Sequence, residues 1–260
     1  VSNKTEPKII LWDLETLPNL DEAMKVFPSI SDYPGLTLKA SINSIICFGY
    51  KTFGDGPTRV LNAWDYKGWA KSVNDDRELV MAAYDILKEA DAVITHNGKR
   101  FDWKFLQTRL LKYGFPPLPK ILHIDTCSES KKNLLMFNNR LNTLAKFMTS
   151  EQKLENGGWQ LWDRVRQREP KAMRTMSAYC KQDVETLNAL FKKLRPRINN
   201  IPNYNMLRTT DNFVCPRCGS TRIQSRGKGL NKNFEYYKFQ CQDCGGWFSS
   251  KHKDKEPRAT

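Results

Sequence analysis

Three stretches of the 260-residue chain place acids where chemistry is possible. Trp12-Asp13-Leu14-Glu15-Thr16 closes an apolar run, and because side chains alternate along a strand, Asp13 and Glu15 share one face. That face lies at the C-terminal end of the strand, where ligands of α/β sheets bind. In Thr95-His96-Asn97-Gly98-Lys99-Arg100-Phe101-Asp102 a strand passes through Asn-Gly into a helix whose first turn holds Asp102. A carboxylate there also sits at the positive end of the helix dipole, so capping alone accounts for it. Tyr179 and Asp183, four apart in a helical stretch, share a helix face. Taken singly, a polar strand end, a cap and a surface pair explain all three.

Four of the seven cysteines form two pairs, Cys215-Pro216-Arg217-Cys218 and Cys241-Gln242-Asp243-Cys244, with 22 residues between them. Four soft ligands from two tight turns suit one tetrahedral, structural Zn²⁺, and Gly219 and Gly245 permit the tight backbone behind each pair. Two disulfides or a redox pair are the alternatives. No charged-then-apolar leader opens the chain, which disfavours them, and a reducing, cytoplasmic compartment is expected. Cys47, Cys127 and Cys180 are expected to be buried.

The elements that must position these residues follow from hydrophobic period. Residues 8–14 are apolar on both alternating faces, as a strand covered on both sides requires. Residues 44–50 and 58–63 read as further strands joined by a turn at Gly54, Asp55, Gly56 and Pro57. A helix is expected over 75–89 behind an acidic first turn of Asp75 and Asp76, a strand over 92–95, a helix over 101–112 and a strand over 121–125. Residues 139–194 are helical in pattern, the longest helix spanning 171–194. Strands alternating with helices indicate an α/β fold. The expected organisation is a domain over residues 1–200, a linker over 201–212 and a small metal-held module over 213–260.

In order and context, Asp13, Glu15, Asp102 and Asp183 resemble the acidic residues of the DEDD exonuclease superfamily, and Tyr179 marks its tyrosine branch. The histidine branch would carry His where Ala178 stands. Asn97-Gly98-x-x-Phe101-Asp102, with Ile124-Asp125-Thr126 and Asn139-x-Leu141, is similar to the exonuclease domain of family B DNA polymerases. This resemblance implies a ribonuclease H-like mixed sheet flanked by helices over residues 8–195. It also implies 3′–5′ hydrolysis of phosphodiester bonds with two Mg²⁺ or Mn²⁺, releasing nucleoside 5′-monophosphates. Two like charges 4 Å apart repel by about 4 kcal/mol at an effective dielectric near 20, so four gathered carboxylates call for cations, and hard oxygen donors favour Mg²⁺ or Mn²⁺. Asp13, Glu15, Asp102 and Asp183 would be the metal ligands and Tyr179 would orient the attacking water. Asn97 and Phe101 would touch the terminal nucleotide; Asp125 is expected to be structural or to support the ligands, and His96 and His123 to be ordinary polar strand ends.

Charge points the same way. Lys and Arg number 42 against 28 Asp and Glu, a net charge of +14, so polyanions are the expected partners. From Met206 onward 11 basic residues face 5 acidic ones, the densest surplus in the chain. The last segment resembles a zinc ribbon of replication and transcription proteins, with strands over 221–226 and 234–239 joined by a Gly, Lys and Asn turn. Arg222, Arg226, Lys228, Lys232 and Lys238, near Tyr236, Tyr237 and Trp247, combine phosphate-seeking charge with stacking faces. One of the two tyrosines is expected in the ribbon core and one in solvent. DNA, single-stranded or at 3′ ends, is the expected partner. An RNA-trimming enzyme of the ribonuclease D kind and a non-catalytic binding module are the alternatives, and the ribbon's second possible partner is a replication polymerase or another protein. Apolar runs are too short for a membrane span.

Overall fold

Alternation along the first strand sets the architecture. In the computed structural model, which describes residues 7–19, 41–54, 56–149, 158, 160–198, 201, 203 and 213–250, Ile9–Leu17 forms strand β1. Ile10, Trp12 and Leu14 point to one side and Ile9 and Leu11 to the other, each into its own buried cluster. Strands β2 (Ser44–Thr52) and β3 (Arg59–Asn62) follow as an antiparallel meander; β4 (Ala92–Thr95) and β5 (Leu122–Asp125) add in parallel on the other side of β1. The order β3-β2-β1-β4-β5 puts β1 at the centre, as its two apolar faces require.

Helices cover both faces. Helices α1 (Lys67–Lys71), α2 (Arg77–Leu87) and α3 (Asp102–Lys112) come between β3 and β5; Leu79, Val80, Ala83 and Leu87 of α2 and Phe105, Leu106 and Leu110 of α3 pack with Ile10, Trp12 and Leu14. Then come α4 (Thr126–Asn133), α5 (Leu141–Met148), α6 (Gln160–Arg166) and the 25-residue α7 (Pro170–Leu194). Pro170 stands in the first turn of α7, where a missing N–H costs nothing. Val184, Leu187, Phe191 and Leu194 of α7 close over Ile9, Leu11, Ile94 and Ile124 on the opposite face. A separate antiparallel sheet, β6 (Ile223–Leu230), β7 (Glu235–Cys241) and β8 (Trp247–Ser250), forms the C-terminal module. Of the expected linker 201–212, only Ile201 and Asn203 are described, and Ile201 packs into the α7-side core; residues 251–260 lie outside the described residues. Among the described residues no helix is long and apolar enough to cross a membrane.

The structure corrects several expectations. Helix α4 was not expected, because Thr-Cys-Ser-Glu-Ser-Lys-Lys-Asn has no apolar period; it is nucleated instead by Asp125, whose side chain caps the amides of Cys127 and Ser128. Asp76 stands at the N-cap of α2, ahead of the first turn where it was expected, and its side chain makes no capping bond. Its fully buried carboxylate accepts from the Ile45 amide at 2.7 Å, from Arg109 Nε at 2.9 Å and from the Tyr113 hydroxyl, tying α2, β2 and α3 together. In the ribbon, the Gly-Lys-Gly stretch expected in the turn lies within β6 behind a register shift, and Asn231 makes the turn, its Oδ1 accepting from the amides of Asn233 and Phe234. Strand β8, four residues long and directly behind the Gly245-Gly246 pair, was also missed.

One glycine decides how closely α7 can approach. Gly49 of β2 lies opposite Asp13, and a Cβ there would sit 2.8 Å from Cys180 Sγ and 2.9 Å from Val184 Cγ2 of α7. Without a side chain, the helix settles onto the sheet beside Asp13. Gly49→Ala is therefore expected to push α7 outward, costing about 1–3 kcal/mol in denaturant unfolding as overpacking does. An unchanged midpoint would show that α7 is not held at this point. Asp76→Ala leaves the Arg109 guanidinium buried without its counter-charge and should cost about 3–5 kcal/mol, readable in the same assay; a loss under about 1 kcal/mol would mean water reaches Arg109.

Candidate functional site

The odd-numbered face of β1 that meets α7 also carries Asp13 and Glu15, so the packing that buries Leu11 against Leu187 brings α7 acids to the strand end. Carboxylate oxygens of Asp13, Glu15 and Asp183 lie within 4.8 Å of one another. Asp13 is half-buried, whereas Glu15 and Asp183 are buried. A register shift between Glu15 and Thr16 marks a bulge at this point, a device that re-aims side chains near sites. One helical turn before Asp183, Tyr179 is buried with its ring edge-on to Trp162 at 6.2 Å.

Asp102 is placed by a different contact and stands outside that group of three. Pairing of β1 with β4 ends at Leu11 and Ile94, and beyond it the amide of Leu14 donates to Asp102 Oδ1 at 3.3 Å. The carboxylate thus meets the backbone between Asp13 and Glu15. Burial, with a smaller contribution from nearby Asp125, pushes Asp102 up to about 7 against the amides that favour its charge. Three hard-oxygen groups this close, with a fourth desolvated beside them, are a donor set that divalent cations fit.

Asp125 builds the turn that delivers Asp102. Its carboxylate accepts from the amides of Asn97 at 2.9 Å and Lys99 at 3.1 Å as well as those capping α4. Asn97 takes a left-handed φ of 66°, and a Cβ on Gly98 would collide with Thr95. Asp125 is thereby structural, as expected. His96 bridges Thr126 Oγ1 and the Asn139 carbonyl, each at 2.9 Å; His123 pairs with Thr95 Oγ1 at 2.7 Å and is pulled down to about 4, chiefly by burial. Both are polar strand-end residues. Asn97 lines an open cleft of about 530 Å³ with Lys131, Asn139, Arg140 and Asn142. Phe101 packs instead beside Phe105, ring centroids 5.6 Å apart. Lys131 and Arg140 were not singled out in the sequence; nothing but their charge could have marked them.

In the ribbon, Cys215, Cys218, Cys241 and Cys244 converge, with Sγ separations of 3.8 Å for Cys215 to Cys244 and 3.5 Å for Cys218 to Cys241. Both exceed a disulfide length of about 2.05 Å. A tetrahedron with metal–sulfur bonds of about 2.3 Å has edges of about 3.8 Å, so the four thiols fit a single ion of that kind. Gly219 and Gly245, at φ of 74° and 72°, form the knuckles, and their amides donate to the carbonyls of Cys215 and Cys241. The core is Phe213, Phe239 and Phe248; Tyr236 and Tyr237 are both half-buried, so neither is the core residue expected. Arg222 pairs with Asp243 at 2.9 Å and Lys228 with Glu235 at 2.8 Å, while exposed Lys232 lies in the turn and Lys238 on β7. Arg217, inside the first knuckle, donates from its guanidinium to the carbonyls of Arg195, Pro196 and Ile198 just past α7, and Arg195 Nε returns a bond to the Arg217 carbonyl.

No curated protein sequence matches the chain. Among solved structures, it is similar to the family B DNA polymerase of the hyperthermophilic archaeon Pyrobaculum calidifontis, with a TM-score of 0.53 and 20% identity over 73% of this chain. The chain spans only 25% of that polymerase, and at this identity the likeness is one of fold. A family model described as RNase_H superfamily matches residues 35–195, beginning after β1 and ending at the close of α7. That match takes in more than half of the sequence, and the chain belongs to the RNase_H superfamily.

Proposed function

We propose that the chain is a 3′–5′ exonuclease that hydrolyses DNA one nucleotide at a time and releases nucleoside 5′-monophosphates. The observation that carries this is the meeting of Asp13, Glu15 and Asp183 within 4.8 Å, with Asp102 on the amide between the first two. These four carboxylates would hold two Mg²⁺ or Mn²⁺, which supply an activated water on one side of the scissile phosphate and charge stabilisation of the leaving 3′ oxygen on the other. The residues themselves do the rest. Glu15 and Asp183, desolvated and fixed on rigid elements, keep their oxygens in place without reorganisation. The Tyr179 hydroxyl, one helical turn before Asp183, would orient the attacking water. Asn97, with Lys131 and Arg140 along the same cleft, would receive the terminal nucleotide and its phosphate.

DNA is preferred over RNA because the similar solved structure is a DNA polymerase. The ribbon would hold one structural Zn²⁺ on its four cysteines, and would add nucleic-acid contacts or a polymerase partner.

End-labelled single-stranded DNA and RNA, incubated with Mg²⁺ or Mn²⁺, test the reading directly. DNA should shorten stepwise from its 3′ end, and Asp183→Asn or Asp102→Asn should slow this by at least about 10³-fold, the scale of several kcal/mol of transition-state stabilisation. Cleavage of RNA alone would reassign the substrate; cleavage of neither would leave a binding module. Zinc is checked separately. Titrating the thiols of the purified protein should release about one Zn²⁺ per chain, and Cys215→Ser should abolish it and expose amides of residues 213–250 to hydrogen exchange. Full protection in a metal-free variant would refute a metal-held ribbon.

A further inference from the structure

The ribbon sheet has one dry face and one wet one. Pairing of Phe239 with Phe248 puts both rings against Phe213 in the small core, with exposed Ser225 at the edge of the same row. The neighbouring row, Gln224, Gln240 and Trp247, therefore points the other way, and Lys238 shares its side. Trp247 is 51% exposed there, a large aromatic that the ribbon core does not use. Its backbone carbonyl is held by Arg217 at 3.3 Å. Arg226 lies over it, with Cζ 5.9 Å from the ring, and is fixed by two bonds from Nε and Nη2 to Gln240 Oε1. Arg222 stands at the end of the same face, half offset by Asp243. A rigidly backed indole flanked by guanidinium, ammonium and amide groups is a surface on which a base stacks while its phosphates meet cations.

The position of this face is set by Arg217. Its bonds to Arg195, Pro196 and Ile198 fasten the ribbon to the end of α7 that packs with Ile9, at the start of β1 and away from the acids at its close. Asp183 and Arg195 are 12 residues apart, which at about 1.5 Å per residue is about 18 Å.

We infer that the outer face of the ribbon, centred on Trp247 with Arg226 and Lys238, binds the substrate strand itself, as single-stranded nucleic acid upstream of the 3′ end held at the acids. This rests on the exonuclease reading above. A strand stacked at about 3.4 Å per nucleotide needs at least about five nucleotides to reach from one site to the other, so the ribbon acts only on strands longer than that.

The test is a length series of 5′-labelled oligothymidylates, from about three to about twenty nucleotides, bound to the full chain without added Mg²⁺. Affinity of the unaltered protein should step up beyond a threshold length. Trp247→Ala should remove that step, a loss of roughly 5- to 100-fold for long strands, while leaving affinity for the shortest unchanged; Trp247→Phe should restore most of it. Zinc content checks that the variant ribbon is intact. In parallel, 5-bromouracil placed in the upstream part of the strand should crosslink to Trp247. A Trp247→Ala variant with full zinc and undiminished affinity at every length would overturn the inference and leave the face to a protein partner. Trp247-dependent binding by a chain that cleaves no strand of any length would instead sink the exonuclease reading, and would leave the ribbon face a single-strand binding surface without the placement upstream of a 3′ end.

Discussion

The structure depends on one close approach, that of helix α7 to the first two strands. Burial of Val184, Leu187, Phe191 and Leu194 over Ile9, Leu11 and Ile94 drives the helix down, and the missing side chain of Gly49 lets it arrive. The same descent forces Asp183 against Asp13 and Glu15, an arrangement that the acids themselves oppose. Apolar packing along one half of α7 thus does the work of confining charge at the other half. A cation fits the result because the fold has already overcome the repulsion that would scatter its ligands.

Backbone hydrogen bonding does for Asp102 what packing does for Asp183. Asp125 collects amides from the Asn97 turn and from the start of α4, and so fixes the route by which the chain leaves β4 and enters α3. It is an acid close to the site whose capacity is spent on N–H groups. The buried Asp76 is a second case, committed to Arg109, Tyr113 and Ile45. Neighbouring carboxylates in this protein therefore have different duties, decided by what donates to them.

Much of this was legible in the sequence. Alternation in β1 put Asp13 and Glu15 on one side, the four-residue spacing of Tyr179 and Asp183 put both on one helix face, and the paired CxxC motifs foretold the cysteine cluster. What escaped was whatever arises from tertiary context. Helix α4 has no apolar stripe and exists because a side chain from the preceding strand caps it. The Asp76–Arg109 pair joins residues 33 apart that carry no local signal of partnership. Nothing in the sequence marks Gly49, since its use lies in a helix more than a hundred residues away. In the ribbon, glycines suggested a turn where β6 only bulges, and the aromatic that fills the core is Phe239 rather than either tyrosine.

The bond from the Leu14 amide to Asp102 occupies the rung where a longer β4 would have continued the ladder. Were β4 to slip by one residue along β1, Asp102 would lose that rung, and Val93 and Ile94 would each be turned toward the core that the other fills. Strand alignment and acid placement are thus locked to each other, and a misregistered sheet carries its own penalty at the place where an error would matter most.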